Sequence, residues 1–130
     1  SAVDSKKITG NKGEQMAAEW LRQKGFGIIE RNWRYKYWEV DIIASMENKL
    51  HFFEVKTRTS NTFGHPEESI GEQKMKSLRK AAEAYTEQNP QWKYLQFDVL
   101  SITMLHNQPA EFFLIEDVYF WNDSKRTLAL

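Results

Sequence analysis

Apolar and polar positions recur along this chain with two different periods, and each change of period marks an element. From about Asn11 to Lys24, Met16, Ala17, Trp20 and Leu21 fall at helical spacing and Lys24-Gly25 supplies a stop, which predicts a helix. From Gly27 the pattern shifts to short runs rich in β-branched and aromatic residues. Gly27 to Trp33, Tyr35 to Ala44 and Leu50 to Thr57 predict three strands, the last two joined by a turn over Ser45 to Lys49. A polar, turn-rich stretch follows, from Thr57 to Pro66. Between about Glu67 and Asn89, Met75, Leu78, Ala82 and Tyr85 then mark a second helix that Pro90 ends. Tyr94 to Ile102 and Glu111 to Trp121 predict two further strands, separated by the turn-prone His106-Asn107-Gln108-Pro109. The order αβββαββ describes an α/β fold: a central mixed sheet of about five strands flanked by helices. Strand three, helix two and strand four should make a right-handed crossover.

The chain has 130 residues, 41% of them hydrophobic and 14% aromatic, enough for one core and too few for two domains. With no repeats, low-complexity segments or linker, a single domain over residues 1–130 is expected, with residues 1–8 and 122–130 as frayed tails. Eighteen Lys and Arg balance 18 Asp and Glu, so any polyanion binding must be local. No cysteine is present, which excludes disulfides, thiolate metal sites and thiol catalysis, and fits a reducing, cytoplasmic setting. No apolar run approaches the roughly 20 residues of a membrane span, so no membrane partner is expected.

Charges inside apolar strands need a reason. Strand two reads Trp38-Glu39-Val-Asp41-Ile-Ile-Ala44 and strand three His51-Phe-Phe-Glu54-Val-Lys56. By the period-2 rule Glu39, Asp41 and Ile43 share one face of strand two, and Leu50, Phe52, Glu54 and Lys56 share one face of strand three. A tight hairpin accounts for the 12 residues between Asp41 and Glu54 and would set the two carboxylates side by side. Two such groups repel unless a cation lies between them, and hard oxygen ligands suit Mg²⁺ or Mn²⁺. Lys56, on the face of Glu54, would then orient an attacking water or offset charge on a phosphoryl transition state. That grouping reads as metal-assisted phosphodiester hydrolysis. Glu-x-Lys occurs three times in the chain, but only Glu54-Val-Lys56 lies in an apolar strand preceded by a strand carrying an Asp. The competing reading is a cross-strand ion pair such as Lys56 with Asp41.

Other candidates also carry two readings. Glu14 either closes a capping box with Asn11 or points along the core-facing edge of its helix toward the sheet. Glu39 lies on the face of Asp41, and Lys74, on the flank of the second helix, either contacts phosphate or snorkels into water. Arg34, with Arg31 and Lys36, and Arg58 with Thr59, Ser60 and Asn61, form patches suited to phosphates or to plain solvation. The aromatic runs Tyr35 to Trp38 and Tyr119 to Trp121 suit base stacking, core packing or a homodimer contact. His51, His65 and His106 show no ligand spacing and take no role.

Gly13-Glu14, Ala17-Ala18, Leu21, Gly25-Phe26, Arg31-Asn32-Trp33-Arg34, Glu39-Val-Asp41-Ile-Ile-Ala44 and Phe53-Glu54-Val-Lys56-Thr-Arg58 together resemble the YraN-like family of uncharacterised bacterial proteins. The likeness continues through Lys74, Leu78, Ala82 and Tyr85 to Phe97-Asp98-Val99. It implies a restriction-endonuclease-like core of the PD-(D/E)xK superfamily, similar to archaeal Holliday-junction resolvases. Glu14 then matches the acid of the first helix, Asp41 the metal-binding aspartate, Glu54 and Lys56 the Glu-x-Lys pair, and Lys74 a basic position on the second helix. Trp38 departs from the family, which usually carries Gly before the Glu-x-Asp run. The resemblance implies a metal-dependent endonuclease acting on branched or single-stranded DNA. Asp41, Glu54 and the main-chain carbonyl of Val55 would hold Mg²⁺ or Mn²⁺, and Glu14 would support a second ion. The alternative is a non-catalytic nucleic-acid- or protein-binding module on the same fold.

Overall fold

The computed structural model describes residues 2–59 and 71–118, with side chains from Lys12 onward. Seven elements follow in the expected order: α1 (Ala2–Gln23), β1 (Gly27–Tyr35), β2 (Trp38–Met46), β3 (Lys49–Arg58), α2 (Glu72–Gln88), β4 (Tyr94–Thr103) and β5 (Glu111–Ile115). The five strands form one sheet in the order β1-β2-β3-β4-β5. All neighbours are antiparallel except β3 and β4, which are parallel and joined through α2. A parallel pair needs a long crossover, and α2 is its helix. The β1–β2 and β2–β3 hairpins turn on Lys36-Tyr37 and Glu47-Asn48, where Lys36 (φ 56°) and Glu47 (φ 57°) adopt the left-handed conformation that matches strand twist.

Each face of the sheet buries its own core. Leu50, Phe52, Ile43, Phe97 and Val99 pack beneath Met75, Leu78, Ala81, Ala82 and Tyr85 of α2. Phe53, Ile42, Ala44, Leu100 and Ile102 pack beneath Ala17, Ala18 and Leu21 of α1. Phe52 and Phe53, adjacent in sequence and both fully buried, therefore serve opposite faces, as strand alternation requires. Each contributes roughly 1.5 to 3 kcal/mol by leaving water. Alternation fails within β2, as the register also shifts in β1 between Ile28 and Glu30. Val40 joins the α2 cluster together with Ile43, while Ile42 and Ala44 join the α1 cluster. The regular zigzag is thus interrupted between Val40 and Ile42, at Asp41.

Several boundaries differ from the sequence expectation. α1 begins at Ala2 rather than near Asn11, so the segment expected to fray is helical along its backbone. Once a helix is nucleated, each further residue adds a hydrogen bond without needing an apolar stripe, and a periodicity argument cannot see such an extension. Asn11 is consequently inside the helix along its backbone and is not its N-cap. α2 starts at Glu72 and ends at Gln88, where Asn89 closes it through its N–H to Thr86 O and its side-chain amide to Tyr85 O, 2.9 Å. The last strand stops at Ile115 instead of running to Trp121, because Asp117, with φ 61°, turns the chain and donates its N–H to Asp98 Oδ1 at 2.9 Å. The expected start of α2 at Glu67, the loop residues Ser60 and Asn61, His65, the run from Tyr119 to Trp121 and the tail 122–130 lie outside the described residues. Among those described, no helix is long and apolar enough to cross a membrane.

Candidate active site

The site lies where β2 and β3 part. Their ladder runs from Met46 and Lys49 to Ile42 and Phe53 and ends there. β2 stays paired with β1 as far as Trp38, and β3 stays paired with β4 as far as Arg58. The two strands therefore open into a notch, and the residues at its mouth are the next pair outward, Asp41 and Glu54. Both are buried, at 7% and 5% exposure. Asp41 Oδ2 accepts the Val55 N–H at 2.8 Å, so the carboxylate satisfies a strand donor that the β2 backbone no longer reaches.

Glu54 carries two lysines. Lys56 Nζ stands 3.5 Å from Oε1 and Lys74 Nζ 3.3 Å from Oε2. The second contact is electrostatic only: Oε2 is buried and accepts no hydrogen bond, so the Lys74 ammonium is near it but not aimed at it. Glu14 approaches from α1. Its helix comes this close because Gly13 has no side chain, and a methyl there would overlap the Thr57 methyl at the end of β3. The Glu14 carboxyl is hydrogen-bonded by the Asn32 side chain. Asn32 itself has φ 53° and stands across from Asp41, between the paired positions Arg31–Ile42 and Trp33–Val40.

These groups perturb one another. Asp41 is pushed up from 3.8 to about 7, first by burial, then by the negative charge of Glu54 and Glu14; the Val55 N–H and Lys74 act in the opposite sense. Glu14 is also raised, chiefly by burial and further by Glu39 and Glu54, against the pull of Asn32 and Arg31. A site that holds like charges close together at the rim of a core is poised for proton or cation chemistry. Among the described residues no three His, Asp or Glu side chains converge as a metal-binding group. The arrangement offers two adjoining carboxylates, not a complete cage.

The expected residues are thus brought together in part. Asp41, Glu54, Lys56, Lys74 and Glu14 share one neighbourhood. The competing pairing of Lys56 with Asp41 does not occur: Lys56 sits two residues from Glu54 on the same strand face and pairs with it instead. Glu39 is held by Arg34 at 2.7 Å, across the β1–β2 hairpin, where the two are register partners. Arg58 is the last residue of β3 and Thr59 is exposed just beyond it. Two features escaped the sequence reading. Asn32 had no assigned role, and its left-handed conformation leaves no trace in a strand-like run. His51, set aside as roleless, is buried with its Nδ1 2.7 Å from Asp98 Oδ2. With Nδ1 carrying the proton, the ring donates this bond to the carboxylate. Asp98 Oδ1 also accepts from Gln96 Nε2 at 2.8 Å and from the Asp117 N–H, so this buried acid is fully engaged. Asp98 in an apolar strand was the available signal. A groove of about 420 Å³ between α1 and β5, floored by the stacked rings of Trp20 and Phe112, shares no residue with the site.

Fold and site together define a five-stranded mixed α/β domain with two buried carboxylates and two lysines at the point where its second and third strands separate. Residues 13–102 match the model of the uncharacterised protein family UPF0102, and the chain belongs to that family. It is 43% identical over 91 residues to a UPF0102 protein of Syntrophomonas wolfei, covering 69% of this chain and 79% of that one. A UPF0102 protein of Chloroherpeton thalassium is 38% identical over 126 residues, covering 92% and 94%. One of Caldicellulosiruptor saccharolyticus is 38% identical over 117 residues, covering 88% and 99%. The matched region runs from Gly13, at the α1–β3 contact, to Ile102 near the end of β4, and so contains every residue of the notch.

Proposed function

We propose that this chain is a divalent-metal-dependent phosphodiester hydrolase acting on DNA, preferring branched or single-stranded forms. The observation that carries the reading is the buried pair Asp41 and Glu54 at the mouth of the notch, with one Glu54 oxygen buried and lacking a hydrogen bond beside two lysines. These donors fit Mg²⁺ or Mn²⁺: Mg²⁺ typically takes one or two carboxylates and completes its shell with water and substrate phosphate, so a third acid is not required. Asp41, Glu54 and the Val55 carbonyl would hold the ion. Val55 already directs its N–H at Asp41, and in a strand a residue's N–H and C=O leave the same edge. A bound ion supplies an acidified water and a Lewis acid for the phosphoryl oxygens.

Lys56 then orients the attacking water or offsets the charge that develops on the phosphoryl group. Glu14, steadied by Asn32, supports the arrangement or a second ion. Glu39 sets the hairpin through Arg34. Arg58, Thr59 and Lys74 meet phosphates at the rim. The likeness to the restriction-endonuclease-like superfamily points the same way. The test is incubation with branched, single-stranded and duplex DNA in Mg²⁺, Mn²⁺ or chelator. Cuts that need the ion and vanish in Lys56→Met support the reading, and no cutting of any of the three overturns it. A second reading, a non-catalytic nucleic-acid- or protein-binding module, draws on the balanced total charge and the incomplete donor set. It expects binding without cleavage in the same tubes.

A further inference from the structure

Lys74 occupies an unfavourable place for a cation. It is the third residue of α2, in the first turn, where the unsatisfied N–H groups already give the helix end a partial positive charge. The N-cap, Gly71, contributes no side-chain acceptor to offset it. Glu72, in the same turn, offsets part of the helix-end charge, and Glu54 is the acid that faces the Lys74 ammonium itself. That contact is loose: 3.3 Å, without a hydrogen bond, on an oxygen that is otherwise buried and unpartnered. The Lys74 side chain is 34% exposed and so has a path to solvent, and Lys74 also acts on Asp41. Lys56 differs, because it comes from the same strand as Glu54 and pairs with the other oxygen.

We infer that Lys74 is an exchangeable counter-ion, which neutralises Glu54 in the ion-free protein and moves to a phosphate of the nucleic acid when a divalent ion takes Glu54. This rests on the metal-site reading above and adds a coupling to it. With an ion on Glu54, Lys74 would face the ion and the helix end, both positive. An anion at the rim relieves both repulsions. Ion and phosphodiester must then bind cooperatively, and by linkage each strengthens the other by the same factor. A fixed structural ion pair behaves oppositely, since removing Lys74 would leave a buried carboxylate bare and disturb the site.

Titration calorimetry with Mn²⁺ in the absence of nucleic acid separates these cases, using the full chain, Lys74→Met and the charge-matched control Lys76→Met from an exposed position of the same helix. Lys74→Met should bind Mn²⁺ more tightly, on the order of fivefold or more, the size of a typical coupling. Lys76→Met should match the parent. Dimethyl phosphate, a hydrolysis-resistant phosphodiester probe, should tighten Mn²⁺ binding in the parent and lose that effect in Lys74→Met. Lys74→Gln provides the same reading if the Met variant folds poorly. Equal or weaker Mn²⁺ binding by the Lys74 variants overturns the exchange while leaving the metal site standing. Tightening without the dimethyl phosphate effect overturns the phosphate half. Loss of Mn²⁺ binding by every protein overturns the metal-site reading and this inference with it.

Discussion

Asp41→Asn tests the site through stability alone, whatever the substrate. In the folded chain Asp41 is raised from 3.8 to about 7, a difference of roughly 4 kcal/mol between its two protonation states. The sign follows from proton counting. Between those two pH values the folded protein holds a proton on Asp41 that the unfolded chain has released, so stability falls as pH rises. The loss begins as pH passes the unfolded value and is complete above about 7. Asparagine has no such titration and retains a carbonyl to accept the Val55 N–H. Subtracting the two proteins' unfolding free energies cancels the acids remote from Asp41 and leaves the coupled titration of the notch. The difference, parent minus Asp41→Asn, should therefore drop by up to about 4 kcal/mol from pH 4 to pH 8, leaving the variant the more stable protein at pH 8.

Urea unfolding followed by tryptophan fluorescence, at constant ionic strength with chelator, measures this directly. Adding Mg²⁺ or Mn²⁺ at pH 8 should then stabilise the parent by about 1.4 kcal/mol when the free ion is ten times its Kd, and the variant hardly at all. A difference that stays flat with pH, or a variant several kcal/mol less stable at pH 8, would refute the reasoning. The second outcome would mean that Asp41 neutralises a buried cation.

Other substitutions separate the site from its scaffold. Lys56→Met should keep the ion-induced rise in Tm and lower DNA cleavage at least about a hundredfold in a gel assay. Gly13→Ala should cost about 1 to 2 kcal/mol through overlap with the Thr57 methyl, and in a Thr57→Ser background should become neutral or stabilising, because alanine then contributes only its helix propensity. Asp98→Ala should cost about 3 to 5 kcal/mol in denaturant melts by stranding His51, Gln96 and the Asp117 N–H, without changing the ion-induced shift of the folded remainder.

The element order, the parallel pair flanking α2 and the shared face of Leu50 and Phe52 were legible in the sequence, because periods of 3.6 and 2 are local and survive without tertiary information. The adjacency of Asp41 and Glu54 was legible for the same reason: a short hairpin fixes register, and register fixes which side chains meet. The partners of those carboxylates were not. Lys56 reaches Glu54 rather than Asp41, Arg34 captures Glu39, and His51 finds Asp98 from a position 47 residues away. Ion pairing depends on distances of a few ångströms between groups that the chain separates, and no periodic pattern encodes them. The end of the β2–β3 ladder, the left-handed Asn32 and the close approach of Gly13 to Thr57 likewise arise when two helices pack against the two faces of one sheet. Sequence alone brought two acids and a lysine within reach of one another through one hairpin and left open whether a metal or an ion pair holds them. Tertiary packing decided which cations compensate them, and it left one Glu54 oxygen without a hydrogen bond.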